Sequence, residues 1–459
     1  MRNIFFILLA VTISTAGSFS QIISAGTFHS LFVCYSGAAK STGQNAFGKL
    51  GDGTTIDKNS PVQVSGISTG IAAAGGGQHS LFLKNDGTVW ACGWNNYGQL
   101  GDGTNTNRLT PVQVSGLTNV IAVATRQDHS LFLKNDSTVW GCGRNSFGAL
   151  GNGTTTDTTI PVQVSGLTSI VAIAGGGAHS IFLKSDGTVW VCGDNGSGQL
   201  GIGNYINKNT PVQVNALNGI IAIAAGGAHS LFLKNDGTVW ACGYNNGTFG
   251  NGNINDSTVP VQSNITGVMA IGTGDFHSLF VKNDGTAWGT GYNGYGELGD
   301  GTMIDRTSPV QASGLTNIIA ATGGIRHMLW VKNDGTVWSC GKNIEGQLGI
   351  GNNTEQHIPV QVNLPCSVVG VEDAEQEEKK INVYPNPASD FININISIGE
   401  NEKGNVELYS LTEQKITMYE LKPQEETKID LSGIGAGIYF YSIKVNGEIK
   451  ETDKLIVIK

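Results

Sequence analysis

Residues 74–93 read Ala-Gly-Gly-Gly-Gln-His-Ser-Leu-Phe-Leu-Lys-Asn-Asp-Gly-Thr-Val-Trp-Ala-Cys-Gly, and the chain returns to this pattern repeatedly. A His-Ser or His-Met pair stands at His29, His79, His129, His179, His229, His277 and His327, at spacings of 50, 50, 50, 50, 48 and 50 residues. Self-similarity at one fixed period of this length belongs to solenoids and propellers, whose units bury their apolar faces only by stacking on neighbours. Residues 22–362 divide into seven such units of about 49 residues each.

One unit predicts four short strands, at residues 61–64, 71–74, 80–84 and 88–92. Asn85-Asp86-Gly87 separates the last two, and Asp-Gly between apolar runs is a hairpin signal. Leu81-Phe82-Leu83 is apolar on both faces, as in a strand covered on both sides. Trp90, Trp140, Trp190, Trp240, Trp288 and Trp338 hold one place in the unit and read as packing between blades. A long connection follows, with the core Asn-x-x-Gly-x-Leu-Gly. Unit five is two residues short, and unit one replaces the Lys-Asn-Asp-Gly turn with Cys34-Tyr35-Ser36-Gly37. The repeat enters at the second strand of a unit and leaves after a lone first strand, Pro359-Val360-Gln361-Val362. Pairing these two ends would remove two open edges, so ring closure by that pairing is the expectation.

Composition narrows the function. The 66 glycines fall periodically and mark turns. Charged residues are only 14%, with a net charge of -9, which excludes a surface built to neutralise nucleic-acid phosphates. Residues 1–20 carry Arg2, an apolar run over 4–13 and then small residues, the form of a secretory signal peptide. That run is too short for a membrane span, and no other stretch approaches one. Of seven cysteines, Cys92, Cys142, Cys192, Cys242 and Cys340 recur at one place. Equivalent sites in neighbouring blades lie too far apart to bridge, so each reads as a small buried hydrophobe.

The recurring histidines read as structural, because one per blade cannot assemble a nucleophile, its base and an orienting group. Gly-Asp-Gly-Thr loops at Gly51, Gly101 and Gly299 suggest calcium, but the other units lack the carboxylate, and neither a metal nor a cofactor is expected. Function should sit where the repeat is broken. The variable positions lie just before each His and just after each Cys-Gly or Thr-Gly. If the Asn-Asp-Gly turn marks one end of the hairpin, both variable sets fall at the other end and share one face of the disc. The candidate ligand-binding residues there are Phe28, Trp94, Tyr97, Arg126, Asp128, Phe147, Asp275, Phe276, Tyr292, Tyr295 and Arg326. They form an arc over blades six, seven, one, two and three, rich in the aromatic and Arg side chains that dominate interface hot spots.

Gly-Gly-x-His-Ser, Asp-Gly-Thr-Val-Trp-x-Cys-Gly, Asn-x-x-Gly-Gln-Leu-Gly and Pro-Val-Gln-Val together resemble the regulator of chromosome condensation repeat family, over about three quarters of the chain. The resemblance implies an all-β, seven-bladed β-propeller over residues 21–362. The family's best-known activity is nucleotide exchange on a nuclear GTPase, a partner that an exported chain does not meet.

Residues 363–380 form an acidic linker, and residues 381–459 alternate as a small β-sandwich would, with Ile392, Ile394, Ile396 and Ile398 on one side. Three motifs of this tail resemble the type A C-terminal sorting domain of the type IX secretion system. They are Val383-Tyr384-Pro385-Asn386-Pro387-Ala388, Ile434-Gly435-Ala436-Gly437-Ile438-Tyr439 and Lys454-Leu455-Ile456-Val457-Ile458-Lys459. That resemblance implies a Bacteroidetes-type bacterium and handling by the type IX machinery. The expectation is therefore a secreted or cell-surface binding protein, not an enzyme, that presents a propeller face to an extracellular protein or glycan. A hydrolase or lyase with its site on the same face, or a structural adhesion component, are the alternatives.

Overall fold

The Asn-Asp-Gly turn sets the first piece of structure. Gly87 sits at φ +76°, where a Cβ is disfavoured, and Asp86 Oδ1 accepts the Thr88 N–H at 2.9 Å. This folds His79–Lys84 back onto Val89–Gly93 with Phe82 opposite Trp90. Ser137 holds the same turn in the third blade at φ +64°. Gly70–Gly75 adds on the inner side and Arg108–Gln113 on the outer side, completing a four-stranded antiparallel sheet.

The protein was analysed as a computed structural model. It describes residues 22–369 and, within 381–457, all but 385–387, 397–401, 411–413, 422–426 and 436. The signal-peptide expectation for residues 1–20 lies outside the described residues, as do residues 370–380 of the linker and, in the tail motifs, Pro385-Asn386-Pro387, Ala436 and Ile458-Lys459. The chain divides into two compact units, residues 1–371 and 372–459.

In the first unit the four-stranded sheet is built seven times, as the seven blades of a propeller. Each blade runs from an inner strand to an outer one without a break in sequence. The stacking is read from which residues share a core. Ala72, Ala74, Leu81 and Leu83 pack with Val120, Val123 and Phe132 of the next blade. Ala73 and Phe82 pack with Leu31 and Val33 of the preceding blade, and Trp90 closes over that cluster. Adjacent residues serve opposite neighbours because strand side chains alternate. Burying each Phe of this kind contributes roughly 1.5–3 kcal/mol. The five recurring cysteines are free and buried, and burial pushes their thiols well above the usual range.

Ring closure departs from expectation. Pro-Val-Gln-Val is the outer strand of the preceding blade: Gln356–Gln361 pairs with Val337–Gly341, and Ile23–Ala25 pairs with His29–Val33. The two ends therefore never share a sheet. The seam between blades seven and one is instead made by stacking and a covalent tie. Ile23 and Phe32 pack with Leu329, Val331, Val362 and Val368. Tyr35 N–H donates to Ser367 O at 2.9 Å, and Cys34 is disulfide-bonded to Cys366. Gln356–Gln361 already completes the four strands of blade seven as its outer strand, and Ile23–Ala25 those of blade one as its inner strand, so neither blade needs the other end.

The second unit has two antiparallel sheets. Ile381–Tyr384, Phe391–Ile396 and Thr427–Asp430 form one, and Lys415–Leu421, Gly404–Tyr409, Gly437–Val445 and Glu448–Val457 the other. Ile392, Ile394 and Ile396 share one core with Val406, Leu408, Ile443 and Leu455. On the four-stranded sheet, Glu407 takes the Lys415 ammonium, Lys444 Nζ at 2.6 Å and the Tyr409 hydroxyl at 2.5 Å. Those donors hold its carboxyl down to about 2.

Candidate functional site

The histidines form a girdle through the ring. Nε2 of His29, His79, His129, His179, His229 and His327 lies 2.9–3.1 Å from a serine hydroxyl of the following blade, with His327 meeting Ser30 across the closing seam. Each of those serines donates to a backbone carbonyl of the blade before it, at 2.6–2.7 Å. With the hydroxyl proton committed, Nε2 must be the donor in the His–Ser bond. Burial depresses the imidazoles, to about 3 at His79 and about 4 at His129, so they are neutral. The glycine three residues before the His in six of the seven blades follows from this packing: a Cβ on Gly76 would fall 2.3 Å from His79 Cε1. These are structural histidines.

The girdle breaks once. Met328 stands where the other blades carry serine, leaving both ring nitrogens of His277 buried without a partner among the described residues.

Both variable sets lie at the end opposite the Asn-Asp-Gly turns. The residue after the strand that follows each Asn-Asp-Gly turn donates its N–H to the carbonyl of the residue before the His: Trp94 to Gln78, Arg144 to Asp128, Tyr292 to Phe276 and Lys342 to Arg326, all at 2.8–2.9 Å. Three clusters result. Trp94 and Tyr97 meet edge-on at 5.2 Å, Phe47 joins Trp94 at 6.2 Å, and Arg144 lies over Tyr97 at 5.2 Å with Asp128 at 3.3 Å. Lys342 lies 4.7 Å over Phe28. Arg326 lies over Tyr292 and Tyr295 at 5.7 and 4.9 Å. Phe147 and Phe276 are each 40% exposed. Phe47, Arg144 and Lys342 were not among the candidates. Phe47 was legible as the counterpart of Tyr97 and Phe147 in the repeat. It is 43% exposed and held at φ +66°, unusual for a bulky residue.

Arg126 and Asp275 are withdrawn from the face. Arg126 fills the place occupied by glycine in the other blades, and its side chain crosses the ring. Nε donates to Asp275 Oδ1 at 2.7 Å, Nη1 to Thr273 O and Gly323 O at 3.0 and 2.9 Å, and Nη2 to Gly324 O at 3.2 Å. Gln127 takes the other Asp275 oxygen at 2.9 Å. The pair is buried, and Arg126 borders an axial cavity of about 150 Å³ lined by inner strands of the blades. It ties blade three to blades six and seven, the two flanking the break in the girdle. A local reading of variable positions could not separate a surface residue from one that reaches inward.

Beneath the face lies a layer of buried polar side chains at the x of Gly-x-Leu-Gly. Gln99, Gln199 and Gln347 occupy it in three blades, whereas Lys49 and Glu297 put charges there, both fully buried. Lys49 Nζ donates to Gln44 and Gln78 at 2.7 and 2.6 Å, yet burial pulls its amine down to about 7. Burial pushes the Glu297 carboxyl up to about 7, and its Oε1 has no partner among the described residues. The unfolded chain binds the Lys49 proton from about pH 7 to 10.5, so wild-type stability rises with pH across that window. The folded chain keeps the Glu297 proton from 4.5 to about 7, so there stability falls as pH rises. Lys49→Gln is therefore expected to stabilise most below pH 7, and Glu297→Gln most above it, each on the order of 2–4 kcal/mol. Thermal melts of both variants from pH 4 to 10 check this. Parallel pH profiles for the two would refute it.

The Asp of the Gly-Asp-Gly-Thr loops is already engaged. Asp102 accepts from Asn95, Thr104 and Arg108, and the buried Asn95 also holds Leu100 N–H and Thr104 O. Among the described residues no group of three or more His, Cys, Asp or Glu is placed to hold a metal ion.

A family model of the RCC1-like domain matches residues 118–437, and models of the regulator of chromosome condensation (RCC1) repeat match residues 40–83, 86–133 and 70–99. The chain belongs to the RCC1-like family. No curated protein matches it by sequence. Among solved structures, human WBSCR16 is similar to this RCC1-like propeller at 25% identity and a TM-score of 0.64, over 70% of this chain and 93% of that one. Prp20p from Saccharomyces cerevisiae, described with binding to Gsp1p and histones, gives 20% identity and a TM-score of 0.64 over 81% and 92%. Yeast RCC1 (Prp20) with Kap60 bound gives 20% and 0.63 over 79% and 86%. Among the described residues of the RCC1-like chain, no helix is long and apolar enough to cross a membrane.

Proposed function

We propose that this RCC1-like chain is an exported, non-enzymatic binding protein whose variable face engages a protein partner outside the cell. The carrying observation is the run of aromatic rings with cations lying over them across the seams of blades six, seven, one, two and three. Such side chains supply hot-spot contact area on a rigid frame. The repeated histidines are buried and neutral and are spent on holding blade to blade, which favours binding over hydrolysis or lysis. The yeast relatives are described with protein partners, which favours a protein over a glycan. Export is supported by the character of residues 1–20, by the tail motifs, and by the Cys34–Cys366 disulfide, a bond that persists in oxidising compartments.

The test is capture of a partner from envelope extracts with the exported protein. Trp94→Ala, Tyr97→Ala and Phe276→Ala are each expected to weaken that complex by roughly 1–3 kcal/mol in titration. Normal binding by all three, with loss on substituting the Asn-Asp-Gly turns, would remove the face from consideration. In the same strain, a chain lacking residues 381–459 should accumulate in the periplasm, and its normal appearance outside the cell would sink the export reading.

A further inference from the structure

We infer that the seam of blades six and seven, built by Arg326 on Tyr292 and Tyr295, receives a carboxylate side chain of the protein partner. This rests on the binding reading above and gives it a chemistry. Three cations lie over rings on the face, and two of them are neutralised where they stand. Arg144 Nη1 is 3.3 Å from Asp128 Oδ2, and Lys342 Nζ is 2.9 Å from Glu345 Oε1. Arg326 has no carboxylate within ion-pair distance among the described residues. Its Nη1 donates to the Tyr295 hydroxyl at 2.7 Å, and its Nε and Nη2 make no hydrogen bond within the described residues. The nearby buried Glu297 spends Oε2 on the Tyr295 N–H at 2.9 Å.

A guanidinium presents a planar fork of donors that matches a carboxylate in two parallel hydrogen bonds. Two rings and a phenol already hold this one, so little side-chain freedom is lost when an anion docks. Arg326 is half-buried over Tyr292, whose N–H donates to the carbonyl of the exposed Phe276, so Phe276 belongs to the same seam and adds an apolar side chain to it. The chain carries a net charge of -9, so long-range attraction does not favour an acidic partner, and binding must come from the built site.

The test uses the full chain and a fluorescent hexaglutamate peptide in low salt, followed by anisotropy. Arg326→Gln is expected to lower affinity at least about tenfold, and Arg326→Lys, which keeps the charge without the fork, by about three- to tenfold. Arg144→Gln, whose partner Asp128 already neutralises it, should change affinity by no more than about twofold. Unchanged thermal melts certify folding of each variant. The inference is overturned if Arg326→Gln binds hexaglutamate like the wild type, or if Arg144→Gln loses as much. Tighter binding of a heparin hexasaccharide than of hexaglutamate through Arg326 would also overturn it. Partner capture that depends on Trp94 but not on Arg326 sinks this inference alone, whereas capture untouched by every face variant sinks the reading beneath it.

Discussion

Arg126→Gly should destabilise the propeller by about 3–5 kcal/mol, although it restores the residue that stands at this place in the other six blades. Repeat logic alone argues the opposite, since a consensus substitution commonly stabilises. The expectation comes from what the guanidinium holds: Asp275 and the carbonyls of Thr273, Gly323 and Gly324, all buried on the far side of the ring. Removing it leaves the Asp275 carboxylate buried with Gln127 as its one remaining partner among the described residues. Blades six and seven are already the pair without a His–Ser bond, so the loss falls on the seam least able to absorb it. Urea unfolding measures the effect. The double variant Arg126→Gly, Asp275→Gly should recover much of the loss, because no uncompensated charge remains. A single variant as stable as the wild type would show that the pair contributes nothing net.

The second large effect is expected at the other special seam. Reducing the Cys34–Cys366 disulfide, or replacing both cysteines with serine, should lower stability by roughly 2–5 kcal/mol. The bond joins residues 332 apart and so constrains nearly the whole propeller in the unfolded state. It also fastens the segment in which Ser367 accepts the Tyr35 N–H and Val368 packs against the closing cluster. Hydrogen exchange should therefore accelerate first in Ile23–Ala25 and Gln356–Gln361, the two ends that share no sheet. Equal melting temperatures with and without reductant would discard the tie as a stabilising element.

Much of this architecture was legible before any coordinates. The period of the His-Ser pairs, the Asp-Gly turn and the doubly apolar third strand determine seven stacked antiparallel sheets, because each is a local pattern with a local cause. The shared face was legible for the same reason: a hairpin has two ends, and the turn occupies one. Tryptophan and cysteine repeat because every blade meets its neighbour in the same way. In the tail, alternation at Ile392, Ile394 and Ile396 marked a half-buried strand, and those three side chains enter the core.

What the tertiary structure alone decided are contacts between residues far apart in the chain. Arg126 stands in the arc by sequence but lies 149 residues from Asp275, and only ring closure brings the two together. The seven cysteines leave two outside the repeat, Cys34 and Cys366, and that remainder was a usable signal, but their proximity depends on where blade seven meets blade one. The expected pairing of the chain ends failed because a unit of sequence is offset by one strand from a blade, and periodicity does not reveal that phase. Local pattern sets what each blade is; the closure of seven blades into one ring sets which of the irregular residues face each other and which face the solvent.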